Sequence, residues 1–275
     1  MSADSKNETL TPSGEDSIIY EVADNIATIT LNRPEKLNAF DDPMVFKLIA
    51  ALRRFDTDPD AFVAVIKGNG RAFSSGADVR QRQMRSKQEF ENLGGSAAGW
   101  GANAHELLLK SANWKPVITA PHGYAIGMGL GMCLDSEMIV AEEGTQFQVT
   151  ETRRGLGAAR YYSLLKFRGG ASIAIDVALT GRFFTAEEAH AAGVIDRVAP
   201  KGKAYEVALE LARQINKNPP LSARQTTRVR RWYLEKLEHE IMFYVRALKL
   251  TLTEDFSESA RAFTEKRPPK PWKGR

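Results

Sequence analysis

Pro116-Val117-Ile118-Thr119-Ala120-Pro121-His122-Gly123-Tyr124-Ala125-Ile126-Gly127-Met128-Gly129-Leu130-Gly131 sets the reading of this chain. The run begins as a short apolar strand and passes through a turn. It then places Gly127, Gly129 and Gly131 alternately at the start of an apolar helix. Glycine lets a backbone approach a ligand closely, and the first N–H groups of a helix have no partner within it, so they can meet negative charge. A second stretch upstream has the same logic. Val63-Ala64-Val65-Ile66-Lys67-Gly68 reads as a buried strand, and Arg71-Ala72-Phe73-Ser74-Ser75-Gly76-Ala77-Asp78 as the loop after it. Read singly, each is a strand-to-helix turn. Together, two loops offering backbone N–H groups suggest an oxyanion hole.

The rest of the composition bounds what surrounds these loops. A chain of 275 residues buries a substantial core, in one large or two small domains. Charged residues at 26% and hydrophobic ones at 43% place it among globular enzymes. No run approaches about 18 uninterrupted apolar residues, so no transmembrane helix is expected. The first 17 residues are polar and carry neither an apolar nor an Arg-rich targeting pattern; they read as a disordered tail, with the cytoplasm as default location. Cys133 is the only cysteine, which excludes an internal disulfide and a cysteine metal cluster. A net charge of +4 and a pI near 9.1 suit anionic ligands such as phosphorylated cofactors, and are too small to argue for nucleic acid.

Taken in order, Ile18–Val22 and Ile26–Leu31 read as a hairpin around Asp24-Asn25, ended by Arg33-Pro34. Residues 42–55 have helical spacing with Pro43 in the first turn. Residues 81–92 read as a polar helix, 94–101 as a loop around Trp100, and 105–110 as a helix resumed. Strands are expected at 137–141, 145–149 and 194–198. Helices are expected at 163–179, from the cap at Thr185, and over most of 204–263 with a break at Asn218-Pro219-Pro220.

Gly76-Ala77-Asp78-Val79 followed by His122-Gly123-Tyr124-Ala125-Ile126-Gly127-Met128-Gly129 resembles the signature pair of the crotonase superfamily, the enoyl-CoA hydratase/isomerase family. The likeness runs from about Ile18 to the C-terminus and includes Asn32-Arg33-Pro34-Glu35-Lys36-Leu37-Asn38-Ala39, Leu179-Thr180-Gly181-Arg182 and Phe263-Thr264-Glu265-Lys266. It implies an α/β fold, a spiral of repeated ββα units over 18–203, with a C-terminal helical region over 204–275 that builds trimers or dimers of trimers. It also implies an acyl-CoA thioester substrate, with coenzyme A entering as part of the substrate and no permanently bound cofactor.

Carried over by position, the resemblance makes the N–H groups of Ala77 and Met128 the donors to a thioester enolate. Met128 stands where the family usually has glycine; its N–H still donates, and its side chain is expected to narrow the pocket. Of the two carboxylates that flank the substrate in a straight-chain hydratase, the second falls at Glu151 and the first at Gly131, which has no acid–base chemistry. The following segment, Thr152-Arg153-Arg154-Gly155-Leu156-Gly157-Ala158-Ala159-Arg160-Tyr161-Tyr162, also departs from the family pattern. Tyr161 or Tyr162 could hydrogen-bond an acyl group, although an aromatic pair here is more often core. Asp135 and Glu137 read as structural. Lys36 and Leu37 match a first CoA-contact loop, and Ala77, Asp78, Val79 and Arg80 an adenine-side loop. Phe263 and Lys266 match a pair that relatives present to CoA, often across a subunit boundary. Arg33, Arg80 and Arg82 could meet phosphates.

The four histidines, at 105, 122, 190 and 239, have no metal-binding spacing, so no metal is indicated. Met132 occupies the last glycine position of a dinucleotide fingerprint, and Ser74-Ser75 lacks a nucleophile elbow. The expectation is an enoyl-CoA hydratase/isomerase with one glutamate, on a branched, cyclic or aromatic acyl group lined by Gly131, Trp100, Tyr161 and Tyr162. Thioester hydrolase, decarboxylase and hydratase-lyase chemistry stay open on this scaffold. So does a non-catalytic RNA-binding relative, through the basic stretch Arg224 to Trp232; nucleic acid and membrane are otherwise not expected partners.

Overall fold

The computed structural model describes residues 14–82, 84–86, 88–89, 108, 111–112, 114–245 and 249–275. Trp100, the 94–101 stretch, His105 and the first 13 residues of the expected tail lie outside the described residues. Residues Glu15–Ser17, assigned above to that tail, form a 3-10 turn, and Ser17 is buried.

Strands β1 (Ile18–Ala23) and β2 (Ile26–Leu31) pair antiparallel through Asp24 and Asn25, whose φ angles of 53° and 60° suit a tight hairpin. Helix α1 (Asp42–Thr57) begins where the Asp41 side chain accepts the Met44 N–H at 2.9 Å, and it buries Met44, Leu48, Leu52 and Phe55 at helical spacing. Strand β3 (Val63–Gly68) then pairs parallel with β2. Its alternate side chains separate cleanly. Ala64 and Ile66 join the main core with α1, while Val63 and Val65 face a second apolar layer.

Beyond β3, the helix expected over 81–92 is not continuous. Only α2 (Val79–Arg82) is helical there before a break at Met84 to Ser86, where Glu89 accepts the Ser86 N–H and hydroxyl instead. Strands β4 (Val117–Ala120), β5 (Tyr124–Ile126), β6 (Met138–Glu142), β7 (Gln146–Gln148), β8 (Phe183–Thr185) and β9 (Arg197–Ala199) complete, among the described residues, two sheets. The larger has the order β1-β2-β3-β4-β6-β9 and the smaller β5-β7-β8. The stretch from Pro116 to Gly131 thus leaves one sheet at β4 and enters the other at β5.

Helix α3 (Met128–Asp135) follows β5 directly and is buried along its whole length. The helix expected over 163–179 is two helices, α4 (Ala159–Arg168) and α5 (Ala171–Thr180), because Gly169 takes a φ of 121° between them. Helix α6 (Ala186–Ala191) starts on a reciprocal Thr185/Glu188 cap. Helix α7 (Ala204–Asn216) closes the second apolar layer through Ala204, Ala208 and Leu211.

Helix α8 (Pro220–Val245) packs along α4, and α9 (Glu254–Thr264) folds back on its own chain. There the Ser259 hydroxyl donates to the Arg153 carbonyl at 3.1 Å and the Thr264 hydroxyl to the Met84 sulfur at 3.0 Å. Among the described residues no helix is long and apolar enough to cross a membrane.

Candidate active site

The two glycine-bearing loops meet in register. Ser74 and Ala125 form a parallel bridge, with the Ser74 N–H donating to the Tyr124 carbonyl and the Ile126 N–H to the Ser74 carbonyl, both at 3.0 Å. Three residues beyond each bridge partner stand Ala77 and Met128. Gly76 makes this approach possible: its φ is 91°, and a Cβ there would lie 2.8 Å from the Ile126 carbonyl oxygen and 3.6 Å from the Met128 nitrogen. Among the described residues neither the Ala77 nor the Met128 N–H donates to another backbone group. Two unengaged amides side by side, one opening a helix, offer donors to a developing negative charge. The Met128 side chain packs into the main core.

Glu151 follows β7 and is 7% exposed. It lies beside the amide pair: a Cβ on Gly127, the residue before Met128, would stand 3.6 Å from its Oε1. Burial pushes the Glu151 carboxyl up from 4.5 to about 7, opposed by the backbone amides of Glu151 and Thr150 and by the Tyr161 hydroxyl. Its Oε2 is buried and has no hydrogen-bond partner. A carboxyl that titrates near neutrality exchanges protons efficiently in either direction. Tyr161 is fully buried and hydrogen-bonds Glu151, so it belongs both to the core and to the site. Tyr162 points elsewhere, half-buried against the core with the Lys166 ammonium 6.0 Å from its ring.

Gly131 lies one turn along α3. A Cβ there would meet the Tyr161 hydroxyl at 3.4 Å and the Arg160 Nη1 at 3.5 Å. Arg160 is held from behind: its Nη2 donates to both oxygens of Asp135 at 2.8 Å and its Nε to Glu238 at 2.9 Å. Sequence reasoning missed this residue, since nothing distinguishes it from Arg153 and Arg154 in the same segment. Asp135 and Glu137 are structural anchors here, for Arg160 and Arg231 respectively.

The expected CoA loops cluster around the amide pair. Leu37 accepts the Ser75 N–H through its carbonyl at 2.9 Å, which sets the exposed Lys36 beside the Ala77 loop, and Val79 and the exposed Arg80 continue from Asp78 into α2. Two expectations about phosphate contacts are corrected. Arg33 is buried, donates to the Ala39 carbonyl at 2.9 Å and pairs with Asp78 at 3.1 Å; Arg82 is buried against Asp42 at 3.0 Å. Their charges are spent inside the fold, and Asp78 holds Arg33. Phe263 stacks under the Arg154 guanidinium at 3.7 Å, so α9 brings it and the exposed Lys266 toward the turn after Glu151 of the same chain.

Three of the four arginines in the basic stretch are committed as well. Arg231 clasps Glu137 at 3.0 and 2.7 Å, Arg230 donates to the Asp135 carbonyl at 3.0 Å, and the Arg224 guanidinium lies over the Trp114 ring at 5.1 Å. That removes the main support for an RNA-binding reading. Among the described residues no cluster of three or more His, Cys, Asp or Glu side chains is arranged to hold a metal ion.

The architecture defines the class first. The chain superposes on a carnitinyl-CoA hydratase from Mycobacterium avium with a TM-score of 0.77, covering 95% of this chain and 100% of that one at 30% identity, and the fold is the crotonase fold. The likeness extends through the sequence, where residues 21–275 match the enoyl-CoA hydratase/isomerase family. The chain is 32% identical to the 2,3-dehydroadipyl-CoA hydratase of Escherichia coli, over 94% of this chain and 99% of the relative. It is 31% identical to the mevalonyl-coenzyme A hydratase of Aspergillus fumigatus, over 89% and 90%. The protein is an enzyme and belongs to the enoyl-CoA hydratase/isomerase family.

Proposed function

We propose that this enzyme adds water to, or shifts the double bond of, an enoyl-CoA, using Glu151 as its single acid–base group. The observation that carries this reading is the buried Glu151 carboxyl, raised to about 7, beside the paired amides of Ala77 and Met128. When the thioester oxygen becomes an enolate, two fixed N–H donors meet it without reorganising. In isomerisation Glu151 takes a proton from C4 and returns one to C2, or the reverse. In hydration it takes a proton as oxygen bonds to C3, then delivers it to C2. The hydratase names of the relatives support this chemistry over hydrolysis or decarboxylation.

The acyl group is branched, cyclic or aromatic, the class suited to the buried Tyr161 ring that borders the site. CoA lies along Lys36, Leu37 and Ala77 to Arg80, with Phe263 from α9 and Lys266 just beyond it. The working unit is a homotrimer or a dimer of trimers built through the C-terminal helices. A panel of acyl-CoA thioesters, followed by mass spectrometry for water gain, isomerisation and CoA release together, tests the reading. CoA release without hydration or isomerisation would replace it with hydrolase chemistry.

A further inference from the structure

Arg160 is not used by the chemistry above, yet it is a buried cation with one unspent nitrogen. It is 8% exposed, its Nη2 and Nε are held by Asp135 and Glu238, and its Nη1 has no hydrogen-bond partner. That nitrogen and the Tyr161 hydroxyl both border Gly131, 3.5 and 3.4 Å from where a Cβ on it would be. Tyr161 in turn hydrogen-bonds Glu151, whose Oε2 also has no partner. A donor and an acceptor, each buried and unsatisfied, therefore flank one tyrosine hydroxyl. Leaving either unmade is costly in a low-dielectric interior.

The chemistry of these groups selects the occupant. Nη1 can only donate, so a cation is excluded. The guanidinium already faces two carboxylates, Asp135 and Glu238, so a further anion would be repelled. A neutral oxygen bearing a proton satisfies both sides, accepting from Arg160 and donating toward Glu151.

We propose that Arg160 holds the oxygen that is added at C3 of the acyl chain: water in the forward direction, the 3-hydroxyl of the product in reverse. This rests on the acid–base reading of Glu151. The water oxygen bonds to C3, its proton passes to Glu151, and the π electrons move to the thioester oxygen at the two amides. Glu151 then delivers the proton to C2 and the carbonyl re-forms; H and OH have been added and nothing is oxidised or reduced. Gly131 sets no side chain between Arg160 and the acyl chain.

Two readouts separate the proposal from the reading beneath it. Exchange of the C2 protons of butyryl-CoA in D2O needs Glu151 and the amide pair but no added water. Hydration of a panel of enoyl-CoA thioesters that includes crotonyl-CoA needs all three. Arg160→Lys keeps a positive charge beside Asp135 and Glu238 but loses the guanidinium fork. It should lower hydration about tenfold or more, the scale of one hydrogen bond to a charged group, while exchange falls far less. Gly131→Ser leaves the Arg160 ion pairs in place and fills the oxygen position with its own hydroxyl, so it should give the same split if Arg160→Lys does not fold. Equal losses in both readouts, or no loss of hydration, overturn the proposal. So does a parent enzyme that exchanges C2 protons but hydrates nothing in the panel. A parent that shows no exchange overturns the acid–base reading itself, and the proposal with it.

Discussion

Asn38 donates to the carbonyl of Ala72 at 2.9 Å, and this bond fastens the Lys36 loop to the loop that carries Ala77. The same amide donates to the Asn69 carbonyl at 2.9 Å, its Oδ1 accepts the Arg33 N–H at 2.7 Å, and its backbone carbonyl accepts the Ser74 hydroxyl at 2.9 Å. Asn38 is fully buried and sits at a φ of 53°, a conformation asparagine tolerates better than most residues. Asn38→Ala would strand the Ala72 carbonyl and the Arg33 N–H in the interior and release the partly buried Asn69 carbonyl. We expect a loss of about 3 kcal/mol in urea unfolding, with kcat falling as the Ala77 amide loses its fixed place. Parent-like stability would show that these bonds do not hold the loop.

Glu151 links activity and stability with opposite signs. Burial raises its carboxyl from 4.5 to about 7, so between those values the folded chain keeps a proton that the unfolded chain has released. Stability from this group is therefore intact below pH 4.5 and declines as pH rises toward 7. Glu151→Gln removes the decline. The variant should match the parent near pH 4 and exceed it at pH 8 by a few kcal/mol, on the order of 3. Its turnover should drop by about 10²–10⁴-fold, and the parent's kcat/KM should rise with pH through about 7 where Glu151 acts as base. Melting curves with the same pH dependence in parent and variant would count against the raised carboxyl.

How much of this was legible beforehand depended on the kind of signal. Strand β3 declares itself through its continuous apolar run Val63 to Ile66, the hairpin through Asp24-Asn25, and the start of α3 through its spaced glycines. Strands β5 and β8 span three residues each and lie directly against a glycine turn or a helix cap that dominates the local pattern, although β5 is what carries Met128 into line with Ala77. Charge was the least readable property. Arg33, Arg82 and Arg231 look like surface cations in sequence, and each is buried on a carboxylate far away along the chain. Arg160 escaped notice for the same reason, because its partners Asp135 and Glu238 are brought to it only by the packing of α3, α4 and α8.

Lys266 tests the C-terminal contribution to CoA. It is exposed just beyond α9, whose Phe263 lies under Arg154 in the turn after Glu151. A contact to a remote phosphate is equally present in the ground and transition states, so Lys266→Ala should raise KM and spare kcat. The site is solvent-screened, so the rise should be about fivefold, near 1 kcal/mol. A KM unchanged at low salt would move the phosphate away from α9.

The outer face of α8 bears on assembly. Phe243 and Tyr244 are 78% and 77% exposed, and Trp232 and Tyr233 are also exposed eleven residues earlier. Eleven residues are close to three helical turns, so the two aromatic pairs lie on one stripe of the helix. Single exposed aromatics are ordinary, but four along one stripe suit contact with another copy of the chain. Each large apolar side chain buried there would contribute about 1.5–3 kcal/mol, so charging two of them should exceed what a subunit contact can absorb. We therefore expect the Phe243→Asp, Tyr244→Asp double variant to stay folded by circular dichroism and to lose its oligomeric state. Its mass by light scattering should fall from a multiple of three chains toward the 30.5 kDa of one chain. A parent that already runs at the single-chain mass at micromolar concentration would remove the trimer, and an oligomeric double variant would move the interface off this stripe.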